Sequence, residues 1–204
     1  MKLTAHKSPA YPPRTQHNAQ SADLTVAFAE DFASAGEKLT HKAAGDRYVS
    51  IALKTDPTQA ARELYVACRK HQTRVLNVAG NGIYTLREYD WTQESLNLWV
   101  FQVMSLVHKH WPLKRVISGG QTGVDWAGGV AAEVLGIPGE MTFPKDFLQR
   151  TLSEFKLTQT HSDVLRKFED DVRVLRAMLH EQGIPVPEVV KPEPTPSDDL
   201  FQLN

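Results

Sequence analysis

The chain of 204 residues has little cysteine and no long apolar segment. Its single cysteine, Cys68, excludes an internal disulfide bond and suits a reducing compartment. No apolar run approaches the ~20 residues that a membrane helix needs, and the polar N-terminus lacks the apolar stretch of a secretory signal. These absences predict a cytoplasmic protein with no membrane partner.

An excess of charge of one sign is also missing. The formal net charge is −1, with 23 basic and 24 acidic residues. Such a balance gives no overall attraction to nucleic acid, so we expect no nucleic-acid partner. The eight histidines show no zinc-like spacing, and we expect no metal site. The hydrophobic fraction of 41% is that of an ordinary globular domain with a buried core.

Proline and polar residues are concentrated at both ends of the chain. Residues 1–23 and 185–204 predict flexible or extended tails, because such segments bury too little apolar surface to offset their ordering entropy. A single domain is therefore placed at residues 24–184. The role of its first part, 24–47, is open: the segment 36–48 is either a linker with solvated charges or a loop that folds over a ligand.

Within this domain, short β-branched runs alternate with helical patterns. The predicted strands are 47–53, 74–80, 114–118 and 139–144, and the predicted helices are about 55–71, 90–111, 122–137 and 162–180. Alternation of this kind is typical of right-handed crossovers between parallel strands. The sequence thus predicts an α/β fold in which a Rossmann-like parallel sheet is flanked by helices. The last helix is interpreted as a packing helix, with a homodimer as the alternative.

Two glycine-rich turns follow predicted strands, namely AGNGIYTLRE (79–88) and ISGGQTGVDWAG (117–128). Ligands of parallel sheets bind at the carboxyl ends of the strands, and glycine lets the backbone approach a phosphate or ribose. The second turn also opens a helix, whose free N–H groups suit an anion. Tight packing of helix on sheet is the alternative reason for the glycines. The candidate ligand-binding residues are Gly80, Asn81, Gly82, Ser118, Gly119, Gly120, Gln121, Thr122, Gly123 and Asp125.

Three residues of the second turn and its helix have more than one interpretation. Asp125 either complements the helix dipole, hydrogen-bonds a ribose or base, or holds a metal-bound water. Gly128 and Gly129 lie inside the predicted helix, where glycine costs about 1 kcal/mol relative to alanine. We therefore predict that this helix approaches the sheet, or a partner subunit, closely.

The string ISGGQTGVDWAG resembles the SGGQTGVD signature of the molybdenum-cofactor-carrier-like proteins. These belong to the SLOG superfamily of Rossmann-like ligand-binding domains. The resemblance continues in VLNVAGNGIYT (75–85) and LGIPGEMTFPKD (135–146), and covers about residues 74–150. It implies that Gly119 to Gly123 and Asp125 contact a ligand, and that Lys145 is the lysine of a P-K-G turn. It also makes molybdenum cofactor a possible ligand.

The sequence departs from that family at two of these positions. Trp126 stands where an arginine is common, and Asp146 replaces the glycine after Lys145. The phosphoribohydrolases of the superfamily resemble this chain in fold alone, since their P-G-G-x-G-T-x-x-E signature, with its catalytic glutamate, is absent. Their activity is therefore not carried over.

The sequence leaves two functions open. A third possibility is an interaction scaffold whose glycines are purely structural. The first is binding of a nucleotide or other phosphorylated small molecule, as a carrier or sensor. The second is hydrolysis of a nucleotide or its N-glycosidic bond. Hydrolysis needs a general acid or base, and Asp125 and Glu88 are the carboxylates near the glycine turns. A burial-raised pKa on either one favours the enzyme.

Overall fold

The computed structural model describes residues 1–153 and 156–186, and their strands form one parallel sheet. The strands are β1 (Lys2–Ala5), β2 (Leu24–Ala29), β3 (Tyr48–Ala52), β4 (Val75–Gly80), β5 (Arg115–Gly119) and β6 (Gly139–Phe143). Their order across the sheet is β1-β6-β5-β4-β2-β3. Every residue of β2 is buried, as expected of a central parallel strand covered on both faces.

Helices cover both faces of this sheet. They are α1 (Tyr11–Gln20), α2 (Ala35–Ala44), α3 (Pro57–Lys70), α4 (Ile83–Leu86), α5 (Gln93–His110), α6 (Val124–Val134) and α7 (His161–Glu181). Val78 of β4 faces α6, whereas its neighbour Asn77 lines a cavity together with residues of α1 and α2. Since alternate residues of a strand point to opposite faces, α1 and α2 cover one face and α6 covers the other. In the described part of the chain, no helix is both long and apolar enough to cross a membrane.

The predicted α/β fold is confirmed, and each predicted strand and helix is present within three residues of its expected bounds. Local chemistry explains the helix starts. The Asp56 carboxylate accepts hydrogen bonds from the N–H groups of Thr58 and Gln59, and Pro57 occupies the first turn of α3. α7 begins slightly earlier than predicted, because Thr160 forms a capping box with Asp163.

The prediction of a flexible N-terminal tail at residues 1–23 is wrong. β1 pairs with β6, with Lys2 opposite Glu140, and α1 buries Arg14 and Asn18. The segment has little apolar surface because α1 directs polar side chains into a cavity rather than into the core. The predicted C-terminal tail lies, from residue 187 onward, outside the described residues.

The interpretation of residues 36–48 as a solvated linker is also wrong. Ala35–Ala44 is helix α2, and the Ser34 hydroxyl caps it by accepting from the N–H of Glu37 at 3.4 Å. The Glu37 side chain is buried, although the residue stands in a stretch rich in charge. A charged residue in this stretch is therefore buried, contrary to the expectation that such residues are solvated.

The glycines inside α6 have the packing role that the sequence predicts. A Cβ on Gly128 would lie 2.7 Å from the Cβ of Val78 in β4. A Cβ on Gly129 would overlap the sulfur of Met141 in β6. The small residues thus let α6 lie directly on the sheet, and this fixes the position of the loop that precedes it.

Candidate functional site

A cavity of about 720 Å³ opens at the carboxyl ends of β4 and β5, beside α1 and α2. In the sheet, β3 lies beside β2 toward one edge, whereas β5 lies beside β4 toward the opposite edge. The direction in which successive strands are added therefore reverses between β2 and β4. This reversal leaves a crevice at the carboxyl ends, which is where open parallel sheets bind ligands. The cavity therefore lies where the predicted fold places a site.

The structure brings most of the candidate residues to this cavity. Those that line it are Gly80, Asn81, Gly82, Gly119, Gln121, Thr122 and Asp125. The remaining candidates, which do not line it, are Ser118, Gly120, Gly123, Lys145 and Glu88. Lys145 and Glu88 are exposed on short 3-10 turns. Ligand contact by the lining residues stays a prediction.

The polar side chains of the second glycine turn are already engaged by the protein itself. The Gln121 amide donates to the carbonyl of Leu148 at 2.8 Å and accepts from the N–H of Arg150 at 3.0 Å. The Thr122 hydroxyl donates to the Arg150 carbonyl. These contacts hold the segment 148–150 against the turn.

The glycines of that turn have close neighbours. A Cβ on Gly119 would overlap the Oδ2 atom of Asp125, and one on Gly120 would overlap the Phe143 ring. Gly123 has a φ of +99°, which favours glycine, and its N–H donates to Oε1 of Gln93 at 2.7 Å. Packing therefore accounts for these glycines, and Gly119 in particular makes room for a carboxylate.

That carboxylate, Asp125, is held in a buried ion pair. Its Oδ2 lies 3.5 Å from Nη1 of Arg14, and the two side chains are only 12% and 6% exposed. Burial raises the pKa of Asp125 to about 6, although Arg14 and a hydrogen bond from the N–H of Gln121 oppose the rise. Asp125 is thus mostly ionised at pH 7.

A second buried carboxylate, Glu37, lines the same cavity from the first turn of α2. The residue is 2% exposed. Burial, followed by the charges of Asp125 and Asp31, raises the pKa of Glu37 to about 8, against an opposing hydrogen bond with Tyr48. Glu37 is therefore mostly protonated at pH 7.

Among the polar residues of this cavity that sequence reasoning missed, four are the most deeply buried. They are Arg14, Asn18, Glu37 and Asn77, all at most 5% exposed. One of them left a readable signal: Asn77 interrupts an apolar run that was predicted to be buried on both faces. A polar side chain in such a strand needs a partner, which in part is Thr25, whose Oγ1 accepts from Nδ2 at 3.2 Å. The others come from segments in which the pattern predicted neither a strand nor a helix.

Cationic and aromatic side chains form another part of the cavity wall. The Tyr84 ring lies between two guanidinium groups, with the Arg150 carbon 3.8 Å and the Arg87 carbon 4.0 Å from its centroid. Tyr84, Arg150 and Lys156 line the cavity. This wall carries positive charge, in contrast to the two carboxylates.

Trp126 does not belong to the cavity. It is fully buried on the α7 side of α6, where its Nε1 donates to Oδ2 of Asp171 at 2.6 Å. Phe143 and Phe168 meet its ring edge to face. The residue that departs from the resembling family therefore joins α6 to α7 and lines no ligand site.

Comparison with protein-family models, curated proteins and solved structures finds no match for this chain. Membership of the SLOG superfamily accordingly stays a prediction. Across residues 1–153 and 156–186, no three His, Cys, Asp or Glu side chains are grouped so that they could hold a metal ion.

Proposed function

We propose that the protein hydrolyses the N-glycosidic bond of a nucleoside or nucleotide in the cavity at the carboxyl ends of β4 and β5. One observation carries this proposal: two buried carboxylates, Glu37 and Asp125, face one cavity with pKa values raised to about 8 and about 6. At pH 7 one is protonated and the other ionised. A pair of this kind supplies an acid and a base at the same pH.

The two carboxyl groups have complementary roles in the proposed reaction. Glu37 donates its proton to the base as the carbon–nitrogen bond breaks, and the bonding electron pair leaves with the base. Ionised Asp125 stabilises the positive charge that develops on the sugar and accepts a proton from the attacking water. The free base and the free sugar are released, and proton exchange with solvent restores both carboxyl groups.

Arg14 acts through Asp125 in this scheme. Its Nη1 also donates to the Thr142 carbonyl at 3.3 Å, which fixes the guanidinium at the end of β6. The positive charge keeps Asp125 ionised despite its burial. Arg14 is therefore a positioning residue that holds the base in its reactive form.

The charges around Glu37 and Asp125 favour a glycosidic bond over a phosphate ester as the target. Ionised Asp125 would repel phosphoryl oxygens, whereas its negative charge suits an oxocarbenium-like sugar. A phosphate on the substrate fits better against the wall that carries Arg150 and Lys156. The resemblance to the SLOG superfamily supports a nucleotide-sized ligand.

The test is release of free base from nucleosides and nucleoside 5′-monophosphates, followed by chromatography. We expect Glu37→Gln and Asp125→Asn each to lower kcat by about 100-fold or more, the usual scale of general acid–base catalysis. Glu88→Gln is the matched control, because Glu88 is an exposed carboxylate outside the cavity. The kcat/KM profile should be bell-shaped, with limbs near pH 6 and pH 8.

If none of these substrates releases free base, the proposal is refuted. If calorimetry then shows nucleotide binding without turnover, the carrier or sensor function that the sequence also suggests is supported instead. Activity that survives both substitutions refutes the assigned roles.

A further inference from the structure

Four buried polar atoms, each in a residue that lines the cavity, have no hydrogen-bond partner among the described residues. They are Nε of Arg14, Oδ1 of Asn18, Oε2 of Glu37 and Oδ1 of Asn77. An unpaired buried polar atom costs about 1–3 kcal/mol, and few occur in native proteins. Four in the lining of one cavity indicate a polar ligand that pairs with them.

Three of these atoms form a set apart from the proton donor Glu37. Arg14 and Asn18 are four residues apart on α1, so they share one face of the helix. Asn77 is held in β4 by its hydrogen bond to Thr25 in the neighbouring strand. We call Arg14, Asn18 and Asn77 the polar set.

The donors and acceptors of the polar set define what it can bind. The two amide oxygens accept hydrogen bonds, whereas Nε of Arg14 donates one. A phosphate group offers mainly acceptors at neutral pH, so it would leave both amide oxygens unpaired. Two adjacent hydroxyl groups offer two O–H donors and lone pairs for Nε.

We propose that the polar set binds the 2′- and 3′-hydroxyl groups of a ribose, so that the protein selects ribonucleosides over 2′-deoxyribonucleosides. The inference rests on the proposed function in taking this sugar to be part of a nucleoside or nucleotide. Asn77 accepts from the 2′-hydroxyl and Asn18 from the 3′-hydroxyl, and Arg14 donates to one of their oxygens. Loss of the 2′-hydroxyl leaves an amide oxygen buried and unpaired.

The experiment compares the four ribonucleoside 5′-monophosphates with their 2′-deoxy counterparts as substrates. We expect kcat/KM to favour the ribonucleotides by about 10- to 100-fold, the range for one unpaired buried polar group. Asn77→Leu should bring this ratio close to one. Asn97→Leu should leave it unchanged, since Asn97 is equally buried but lies on α5, outside the cavity lining. Each ratio is measured within one variant, so a loss of folded protein cancels.

Isothermal titration calorimetry with the same nucleotides and the Glu37→Gln variant separates this inference from the proposed function. Ribonucleotide-selective binding without any base release by the wild type supports the inference and refutes the hydrolase. Equal rates of base release from the two nucleotide sets overturn the inference and leave the hydrolase standing. Equal affinities overturn the inference, and base release by the wild type then decides on the hydrolase. Absence of both binding and turnover overturns both.

Discussion

Replacing Glu37 with glutamine should stabilise the folded protein at neutral and alkaline pH. The Glu37 carboxyl group is buried, and burial raises its pKa from the ordinary value of 4.5 to about 8. Between these values the unfolded chain releases a proton that the folded protein retains. The folded state therefore binds more protons, and the free energy of unfolding falls as pH rises through this window.

The size of this effect follows from the two pKa values. Their separation corresponds to about 5 kcal/mol over the whole window, of which about 3 kcal/mol has been lost at pH 7. Glutamine has nearly the same shape and no charge, so Glu37→Gln is free of this loss. Relative to the wild type, its advantage should grow from about 1 kcal/mol at pH 5 to about 4 kcal/mol at pH 8.

Urea denaturation of both proteins between pH 5 and pH 8 measures this difference. Glu88→Gln is again the control, because Glu88 is exposed and its removal should leave the pH dependence of the wild type intact. If the free energy of unfolding changes with pH in the same way for the wild type and for Glu37→Gln, the reasoning is refuted. A stabilised variant that has lost activity would identify Glu37 as a group kept at the expense of stability, as at many functional sites.

Two further substitutions test the surroundings of the cavity. Arg14→Gln removes the charge that lowers the pKa of Asp125, so the acid limb of the kcat/KM profile should move to higher pH. An acid limb at the wild-type pH, or at a lower pH, contradicts the ion pair as described. Trp126→Phe removes the hydrogen bond to Asp171 and should lower the free energy of unfolding by about 1–3 kcal/mol in urea titrations. Because Trp126 lies away from the cavity, its kcat should stay at the wild-type value, and a large loss would place the residue in the site.

The sequence predicted the half of the fold in which the spacing of apolar residues and the capping residues of helices indicate the same elements. Asp56 and Pro57 mark the start of α3, and the apolar run before Gly80 marks β4. The same reasoning located the glycine turns at the correct edge of the sheet. It also placed Gly128 and Gly129 correctly, since glycine inside a helix needs a close neighbour to explain it.

What the sequence did not predict was the side of the cavity built from α1 and α2. Helices that wall a polar cavity carry few apolar residues, so periodicity gives a weak signal there. Arg14 and Glu37 look like solvated charges until their partners are known. Gln121 and Thr122 line the cavity as the sequence suggests, but the pattern gave no sign that their side chains also hydrogen-bond the segment 148–150.

The position of β1 beside β6 has a consequence for synthesis of the protein. Arg14 and the Thr142 carbonyl that it contacts are 128 residues apart in the chain. At about 5–20 residues per second, β6 leaves the ribosome on the order of ten seconds after α1. β1 has no neighbouring strand until then, and α1 buries little apolar surface of its own. A nascent chain can thus assemble β2 to β5 while one wall of the cavity is still open, and the ion pair of Arg14 with Asp125 forms among the last contacts of the domain.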